Sequence, residues 1–396
     1  MIDSVVDQVR QDLMVLAGRI LHRGAQTNEE RDAADYIRDR LRTFTPDVEV
    51  DNFHAIDNYF YLFASYYTEF LVVAVLALWW PTVAFVYGLA VFAAYLGEFL
   101  GFRLFSRLLP QFESQNVAAR LHAPRPRHLF IITAYYDSGC ATPISHPDAV
   151  PWMRSIHRLL VLCMVVVLAT CAADAFGAIQ GQPQALASYV RWIAVTALIC
   201  GAILLFYSSA QAEDVRGANF NASGVAALLR LAERFKTQPL DTADVWLVAT
   251  GCHESWMAGI HRLLTTQPID KHNTYILNLE GVGAGDLRYC VREGLLYSAP
   301  ASSAMVKAAE SVADEFGVQP ATQDAIPTEA QVALTRGYHA LTIMALDEDT
   351  LPLHWNWYSD LVTQIEEKTI VQAANFAEAL LRRLESDLET TTPAGD

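Results

Sequence analysis

The sequence is poor in charged residues and above all in lysine. Of its 396 residues 18% are charged, whereas soluble domains are typically about 25% charged. Only four residues are lysine, and 28 basic residues face 44 acidic ones, which gives a formal net charge of −16. Proteins that bind nucleic acid need a basic surface that displaces counterions from phosphate groups. The charge balance therefore argues against nucleic acid as a partner.

Cysteine pairs of the kind that bind metals or form disulfide frameworks are also missing. The sequence has six cysteines and no CxxC pair, and Cys163, Cys171 and Cys200 lie inside long apolar runs. This usage is typical of a reducing compartment. The first residues lack the basic segment and the short apolar core of a secretory signal, so no signal peptide is expected.

Apolar residues are in excess, and the excess is concentrated in two regions. The hydrophobic fraction is 53% and the mean hydropathy is +0.19. The first region contains the apolar runs 59–80 and 82–96, and the second contains 159–173 and 193–209. A membrane-spanning helix needs about 20 apolar residues. Each region therefore predicts a helical hairpin that crosses the membrane and returns, and the alternative is two hairpins buried in a soluble protein.

The arginines beside the apolar regions predict an orientation. Arg103, Arg107, Arg154 and Arg158 flank the hairpins on the side of the polar segments, whereas Arg191 is the only basic residue at either hairpin tip. Cytoplasmic loops carry an excess of basic residues. The polar segments are therefore expected to be cytoplasmic, and the hairpins to lie in the cytoplasmic (inner) membrane.

Two carboxylates, Glu69 and Glu98, lie within or beside the first apolar region. An acidic residue inside a membrane is by default a candidate functional site. The alternative is that both side chains lie at the level of the lipid headgroups. A transporter or channel role for them is less expected, because four helices are few for a transport path unless the chain forms oligomers.

The polar segments alternate between helix and strand patterns. Such alternation predicts an α/β domain with a mixed sheet that helices cover on both faces. The predicted helices are 31–44, 222–235, 302–316 and 364–384. The predicted strands are 48–53, an edge strand, and 115–121, 128–136, 245–250, 275–282, 287–292 and 340–345. Glycines at 283–285 predict a hairpin between strands 275–282 and 287–292.

Six short motifs follow one another along the polar segments. They are Arg-Gly-Ala at 23–25, Ala-Tyr-Tyr-Asp-Ser at 134–138, Gly-Ala-Asn-Phe-Asn-Ala-Ser-Gly at 217–224, Gly-Cys-His-Glu at 251–254, Leu-Glu-Gly-Val-Gly at 279–283 and Trp-Asn-Trp-Tyr-Ser-Asp at 355–360. In this order they resemble the dinuclear-zinc aminopeptidases, metallopeptidase family twenty-eight. That family includes leucyl aminopeptidases, glutamate carboxypeptidase and glutaminyl cyclases, and also the inactive nicastrin and transferrin receptor.

The resemblance implies a zinc-exopeptidase-like fold whose sheet domain is interrupted twice. Segments 1–58, 110–157 and 211–388 would form three parts of one peptidase-like domain. Segments 59–109 and 158–210 would be transmembrane hairpins inserted into its loops, which tolerate insertion. Segment 389–396 is expected to be a disordered tail.

The family's site holds two zinc ions bridged by an aspartate, and four positions in this sequence have lost the expected residue. By the resemblance, Tyr135 replaces the first histidine ligand, Phe220 the bridging aspartate, His253 the general-base glutamate and Asn356 the last histidine ligand. A phenyl ring has no lone pair to offer a metal ion. The resemblance therefore implies a pseudoenzyme, and no cofactor is expected.

Three positions keep a carboxylate. Glu254 matches the glutamate ligand, Glu280 replaces an aspartate ligand with one extra methylene, and Asp137 matches the orienting aspartate. One metal ion on His253, Glu254, Glu280 and His354 remains an alternative, since zinc binds nitrogen and carboxylate oxygen. The corresponding function is an active membrane metallopeptidase with a mononuclear site.

Without zinc, Glu254 and Glu280 would repel each other if they face one another. One of them should then have a raised pKa, or pair with His253, His354 or an arginine. Four aromatic residues surround these positions, and they either fill the former metal cavity or line a pocket. They are Trp256, Trp355, Trp357 and Tyr358.

These features together predict a membrane-embedded, catalytically inactive homologue of zinc aminopeptidases. It is expected to serve as a binding or scaffold subunit of a membrane complex. The expected partners are the lipid bilayer, a membrane protein or a second copy of the chain, and a peptide ligand.

Overall fold

The computed structural model describes residues 2–177 and 182–391 as helices, strands and the loops between them. The helices are α1 (Ile2–Leu13), α2 (Asn28–Arg42), α3 (Tyr59–Leu76), α4 (Pro81–Phe99), α5 (Met153–Ala175), α6 (Gln182–Ala210), α7 (Ser223–Thr237), α8 (Ala258–Thr266), α9 (Ser303–Phe316), α10 (Glu329–Thr335) and α11 (Glu367–Thr391). The strands are β1 (Val48–Ile56), β2 (Gln111–Leu121), β3 (His128–Tyr135), β4 (Cys140–Ala141), β5 (Glu213–Asp214), β6 (Ala243–Thr250), β7 (Thr274–Leu279), β8 (Asp286–Glu293), β9 (Ala299–Pro300), β10 (Gln319–Gln323) and β11 (His339–Leu346).

Nine of the strands form one mixed sheet. Their order is β1-β2-β6-β3-β7-β11-β8-β10, and β9 pairs with β8, while β4 and β5 form a separate two-stranded sheet. In the centre, β3 is parallel to β6 on one side and to β7 on the other. These strands read as continuous apolar runs because they are covered on both faces. The predicted mixed sheet is confirmed, and β1 is an edge strand as expected.

The predicted hairpin between β7 and β8 is wrong. Strand β11 lies between them, parallel to β7 and antiparallel to β8. The glycine-rich segment after β7 instead crosses the end of β11, where Ala345 donates a backbone hydrogen bond of 2.9 Å to Gly281. Gly281 and Gly285 have φ of +59° and +104°, which favours glycine at both positions.

The two faces of the sheet bury different helices. Phe130 and Ile132 of β3 lie in one apolar cluster with side chains of α1, α2, α7, α9 and α11. The intervening Ile131 lies in a second cluster on the opposite face, with Val248 and Ile276 of the neighbouring strands. That second cluster continues through α8 and α10 into α3, α4, α5 and α6. The long apolar helices are therefore packed onto the domain through one continuous core.

Four of the described helices are long and apolar enough to cross a membrane. The helices α3 and α4 enter between β1 and β2, and α5 and α6 enter between β3 and α7. They form two helical hairpins, and their outer surfaces carry exposed apolar side chains such as Trp79, Val86 and Ile193. Length and composition are thus compatible with a membrane protein.

Two expected segments fall partly beyond the described residues. The segment between the apolar runs 159–173 and 193–209 includes 178–181, which lie outside them. Helix α11 continues to Thr391, so residues 389–391 of the expected tail are helical, and 392–396 lie outside the described residues.

Candidate functional site

The motifs that resemble the zinc site meet at one edge of the sheet. Tyr135 ends β3, Glu280 follows β7, and the segment with His253 and Glu254 follows β6. Because these three strands are parallel and adjacent, their carboxyl ends lie side by side. The sheet therefore brings the sequence-predicted residues of three separate motifs together.

Asp137 holds the segment after β6 in place. Its two carboxylate oxygens accept hydrogen bonds from the backbone N–H groups of His253 (2.8 Å) and Glu254 (2.9 Å). Burial raises the pKa of Asp137 to about 7, and the positive charge of His253 opposes that rise. In the same segment Trp256 and Met257 have positive φ values of 62° and 53°. Non-glycine residues in this conformation are strained, and such strain is typical of functional loops.

His253 lies in a cage of acidic side chains. Burial alone would lower its pKa, but Glu329, Glu280 and Glu254 outweigh that effect and raise the pKa to about 9. Its Nδ1 atom is 3.9 Å from a carboxylate oxygen of Glu329. The protonated imidazole therefore balances part of the charge of the surrounding carboxylates.

The two retained glutamates, Glu254 and Glu280, both have a raised pKa. Burial raises the pKa of Glu280 to about 8, and Asn278 donates to its Oε2 atom at 3.0 Å. Burial also raises the pKa of Glu254, whose Oε1 atom accepts a hydrogen bond of 2.9 Å from Asn356. His253 lowers the pKa of both. Both pKa values are thus raised by burial, and not by the repulsion between the two glutamates that the sequence predicts.

Phe220 fills the position that the resemblance assigns to the bridging aspartate. Its side chain is 0% exposed and lies in an apolar cluster with Ile326, Met344 and Trp355. A Cβ atom placed on Gly281 would lie 3.3 Å from its ring, so the ring contacts the backbone after β7. The position that the resemblance assigns to a metal-bridging carboxylate is therefore occupied by an apolar ring.

The donor set at this position does not fit a pair of zinc ions. The phenyl ring of Phe220 offers no lone pair, and the phenol ring of Tyr135 is stacked on His253. His354 turns away, with φ of 66°, and its Nδ1 atom lies 2.8 Å from the hydroxyl of Ser359. Within residues 2–177 and 182–391, no three His, Cys, Asp or Glu side chains form a group that could hold a metal ion.

A buried arginine fixes the turn that carries Phe220. Arg23 is 0% exposed and donates to the carbonyls of Tyr136 (2.8 Å) and Gly217 (3.0 Å) and to the side chain of Asn221. Burial lowers its pKa to about 10, and nearby Asp360 opposes this. The motif at 23–25 therefore shapes the site without lying in it.

A cavity of about 460 Å³ extends from this site into the helical hairpins. Glu254, His253 and Trp355 line its end in the domain, and Phe63 and Leu160 are among the apolar residues that line its far part. Its volume is within the range of about 300–1,000 Å³ that is usual for small-molecule sites.

The four aromatic residues do not form a single group. Trp256 and Trp355 line the cavity. Trp357 packs against the imidazole of His146, with ring centroids 4.8 Å apart, and Tyr358 is 48% exposed. The structure therefore assigns two of them to the cavity wall and two to the surface.

The carboxylates of the first hairpin have local partners. Glu98 accepts backbone hydrogen bonds from Phe105 (2.9 Å) and Ser106 (3.0 Å), and a further one from the hydroxyl of Tyr66 (3.1 Å). Glu69 accepts a hydrogen bond from Tyr87. Glu98 thus fixes the loop after α4.

Sequence reasoning did not find Glu329 as part of the site. It is 0% exposed at the start of α10, and it accepts a hydrogen bond of 2.6 Å from Thr250 below His253. The capping residue Thr328 marks a helix start. No pattern in the sequence indicates, however, that this helix start packs beneath β6.

Comparisons with known proteins agree with this geometry. The model of Peptidase family M28 matches residues 205–381. A zinc aminopeptidase from Bacillus subtilis is similar over 95% of this chain and 94% of its own, with 14% identity and a TM-score of 0.55. An aminopeptidase from Aneurinibacillus sp. strain AM-1 is similar over 95% of this chain and 93% of its own, with 12% identity and a TM-score of 0.57. Tannerella forsythia glutaminyl cyclase is similar over 96% of this chain and 97% of its own, with 12% identity and a TM-score of 0.53.

At these identities the structural likenesses show the fold alone. Together with the family model they confirm the resemblance to zinc aminopeptidases that the six motifs indicate. No curated protein matches the sequence.

Proposed function

We propose that this chain, which has the zinc-aminopeptidase fold and matches peptidase family M28, is a membrane-embedded, catalytically inactive relative that acts by binding. One observation carries the proposal: the buried ring of Phe220 lies in an apolar cluster at the position assigned to the bridging carboxylate. A second loss supports it, because Tyr135 and His253 stack on each other where a ligand and a general base would be needed.

The rest of the site keeps its shape, which supports a binding role. Asp137 still holds the backbone of the segment after β6, and Asp360 accepts backbone hydrogen bonds from Asn219 and Phe220. These buried groups are costly unless they are satisfied. Their retention around a site that lacks the donors for a zinc pair favours a protein that binds a ligand at this surface and does not hydrolyse it.

The helical hairpins support a position in a membrane. They pack onto the sheet domain through one apolar cluster and expose apolar side chains on their outer surfaces. We place the domain on the cytoplasmic side of the inner membrane, because Arg103, Arg107, Arg154 and Arg158 flank the hairpins on that side. In this position the chain would serve as a scaffold or binding subunit for a membrane protein, a second copy or a peptide.

Metal content and hydrolysis test the loss of catalysis. The full chain would be purified in detergent, equilibrated with zinc, cobalt or manganese, and analysed for bound metal and for release of amino acids from peptides. We expect substoichiometric metal and no turnover with any of the ions. Two zinc ions per chain would refute the proposal.

A mononuclear enzyme would give a different result. One metal ion per chain, with chelator-sensitive turnover that Glu254→Ala abolishes, would establish the active alternative. The binding role has its own test, which is recovery of a complex of defined stoichiometry from membranes. Purification of the chain as a monomer, with no associated protein or peptide, would count against it.

A further inference from the structure

The cavity joins the altered site to the membrane-facing surface of the hairpins. At one end it is lined by Glu254 and His253. At the other end it is lined by Ile156 and Leu159 of α5 and Leu204 of α6, which are 48%, 54% and 42% exposed. An apolar path therefore leads from the outer surface of two long apolar helices to the half-buried carboxylate of Glu254.

The wall of this path is hydrocarbon over most of its length. Phe63, Phe99 and Trp256 pack edge to face or tilted on one side, with ring centroids 4.6–5.5 Å apart. Gly201 of α6 and Leu160 of α5 also line the cavity, and a Cβ atom on Gly201 would lie 3.3 Å from the Leu160 side chain, so a larger residue would crowd the cavity there. Apolar walls of this kind bind an apolar chain through the area they remove from water.

The charge at the inner end selects the polar group of a ligand. Glu254 lines the cavity beside His253, and the positive charge of His253 already faces the carboxyls of Glu329 and Glu280. A phosphate or carboxylate head would be brought against the Glu254 carboxylate. A cationic head that donates hydrogen bonds would instead pair with it and favour its ionised form.

We propose that this cavity binds a single-chain amphiphile with a protonated amine head, which enters laterally from the bilayer and places its amine at Glu254. The inference rests on the proposed function, because it requires that the hairpins lie in lipid and that no zinc pair occupies the site. It names the ligand class of that same site.

Tryptophan fluorescence tests the proposal, because Trp256 and Trp355 line the cavity. The full chain in nanodiscs of zwitterionic lipid would be titrated with 12-bromododecylamine, 12-bromododecanol and 12-bromododecanoate, whose bromine quenches nearby tryptophan. We expect saturable quenching by the amine, weaker binding of the alkanol and the weakest binding of the carboxylate. The double variant Trp256→Phe/Trp355→Phe should lose the saturable component.

Two isosteric variants isolate the head group. Glu254→Gln should weaken binding of the bromoamine by about tenfold, the usual effect of losing a charged hydrogen-bond partner, and should change binding of the bromoalkanol little. Glu69→Gln is the matched control, since that carboxylate lies in α3 but does not line the cavity. Gly201→Leu should weaken binding of all three probes; if it fails to fold, Glu254→Gln alone decides.

Two results would overturn the inference. The first is quenching that does not saturate or is the same for all three heads, and the second is bromoamine binding that Glu254→Gln leaves unchanged. Bound zinc would be measured on the same samples. Two zinc ions per chain would refute the proposed function whatever the quenching shows, whereas zinc-free protein without saturable quenching refutes only the amphiphile site.

Discussion

The imidazole of His253 lies stacked on the phenol ring of Tyr135, with ring centroids 3.8 Å apart and ring planes inclined by 15°. By the resemblance, Tyr135 stands at the position of a histidine ligand and His253 at the position of the general-base glutamate. Their contact covers one face of the imidazole, while Glu329 lies near its Nδ1 atom. The two positions most important for hydrolysis therefore form part of a packed, charge-balanced interior.

The pairing of His253 with acidic groups makes stability depend on pH. Its pKa in the folded chain is about 9, above the ordinary value of 6.5. A raised pKa means that the stabilisation is complete below about pH 6.5 and is lost as the pH rises through 9. Replacing the residue by His253→Gln should flatten this part of the profile, measured as thermal midpoints between pH 6 and 10.

An exposed histidine provides the control. His54 is exposed on β1, so His54→Gln shows whether the loss of any imidazole alters the profile. A His253→Gln profile that runs parallel to the wild type between pH 6.5 and 9 would show that the acidic cage does not hold a charged imidazole.

Glu280 gives a second pH effect with the same sign. Burial raises its pKa from 4.5 to about 8, so its contribution to stability is complete below about pH 4.5 and is lost as the pH rises through 8. Glu280→Gln keeps the size and shape of the side chain and removes its negative charge. We expect it to stabilise the chain by about 1–3 kcal/mol at pH 9 and to change stability little near pH 5, by chemical denaturation. The exposed Glu348→Gln should have no effect at either pH.

Asp137 is expected to act as a structural anchor for the segment 251–257. The carboxylate accepts hydrogen bonds from two backbone N–H groups. In Asp137→Asn an amide NH₂ would face one of these N–H groups, and that N–H would lose its acceptor. An unsatisfied buried donor costs about 1–3 kcal/mol. Hydrogen exchange should therefore become faster at His253 and Glu254, with little change in β3. Unchanged protection of these two amides would contradict the anchoring role.

Much of the site follows from sequence because short motifs fix local backbone. The turn at 217–224 places Phe220 just before α7. The neighbouring positions of Tyr135, Glu254 and Glu280 follow from adjacent parallel strands. The approach of Glu329 to His253 does not follow, because it depends on how α10 packs across the sheet. The missing β7–β8 pair has the same origin: the glycine turn is a local signal, whereas the insertion of β11 depends on a distant segment.

Helix boundaries show the same limit. The apolar run 82–96 of the first region is followed directly by Gly97 and Glu98. Helix α4 nevertheless continues to Phe99, because the Glu98 carboxylate accepts hydrogen bonds from the backbone of the following loop. A buried carboxylate can lie at a helix end when it has such hydrogen-bond partners. Hydrophobic periodicity does not reveal these partners, because they lie seven and eight residues further along the chain.

Phe220 provides a direct test of the apolar replacement. Phe220→Asp removes a buried ring and introduces a buried charge, and loss of such a ring alone costs about 3–5 kcal/mol. We expect strong destabilisation by chemical denaturation and no gain of a zinc pair by elemental analysis, because Tyr135 and Asn356 still lack imidazole donors. Phe220→Leu, which keeps the site apolar, should cost clearly less. A well-folded Phe220→Asp variant with two zinc ions would show that the ancestral site is recoverable by one residue.

The last prediction separates a structural from a transport role for the hairpin carboxylates. Glu98 accepts hydrogen bonds from Phe105, Ser106 and Tyr66 at Oε1, and from the Ser106 hydroxyl at Oε2. Glu98→Gln keeps the first acceptor, but it removes the charge that strengthens these bonds and places an amide NH₂ at the second, so it should cost about 1–3 kcal/mol. Glu69 has one hydroxyl partner, and Glu69→Gln should cost less. Thermal unfolding in detergent measures both, and proton or ion flux in proteoliposomes measures transport. If the wild type conducts and either variant abolishes the flux with unchanged stability, these carboxylates form a transport path. If Glu98→Gln is destabilised and neither the wild type nor the variants conduct, Glu98 fixes the hairpin to the domain.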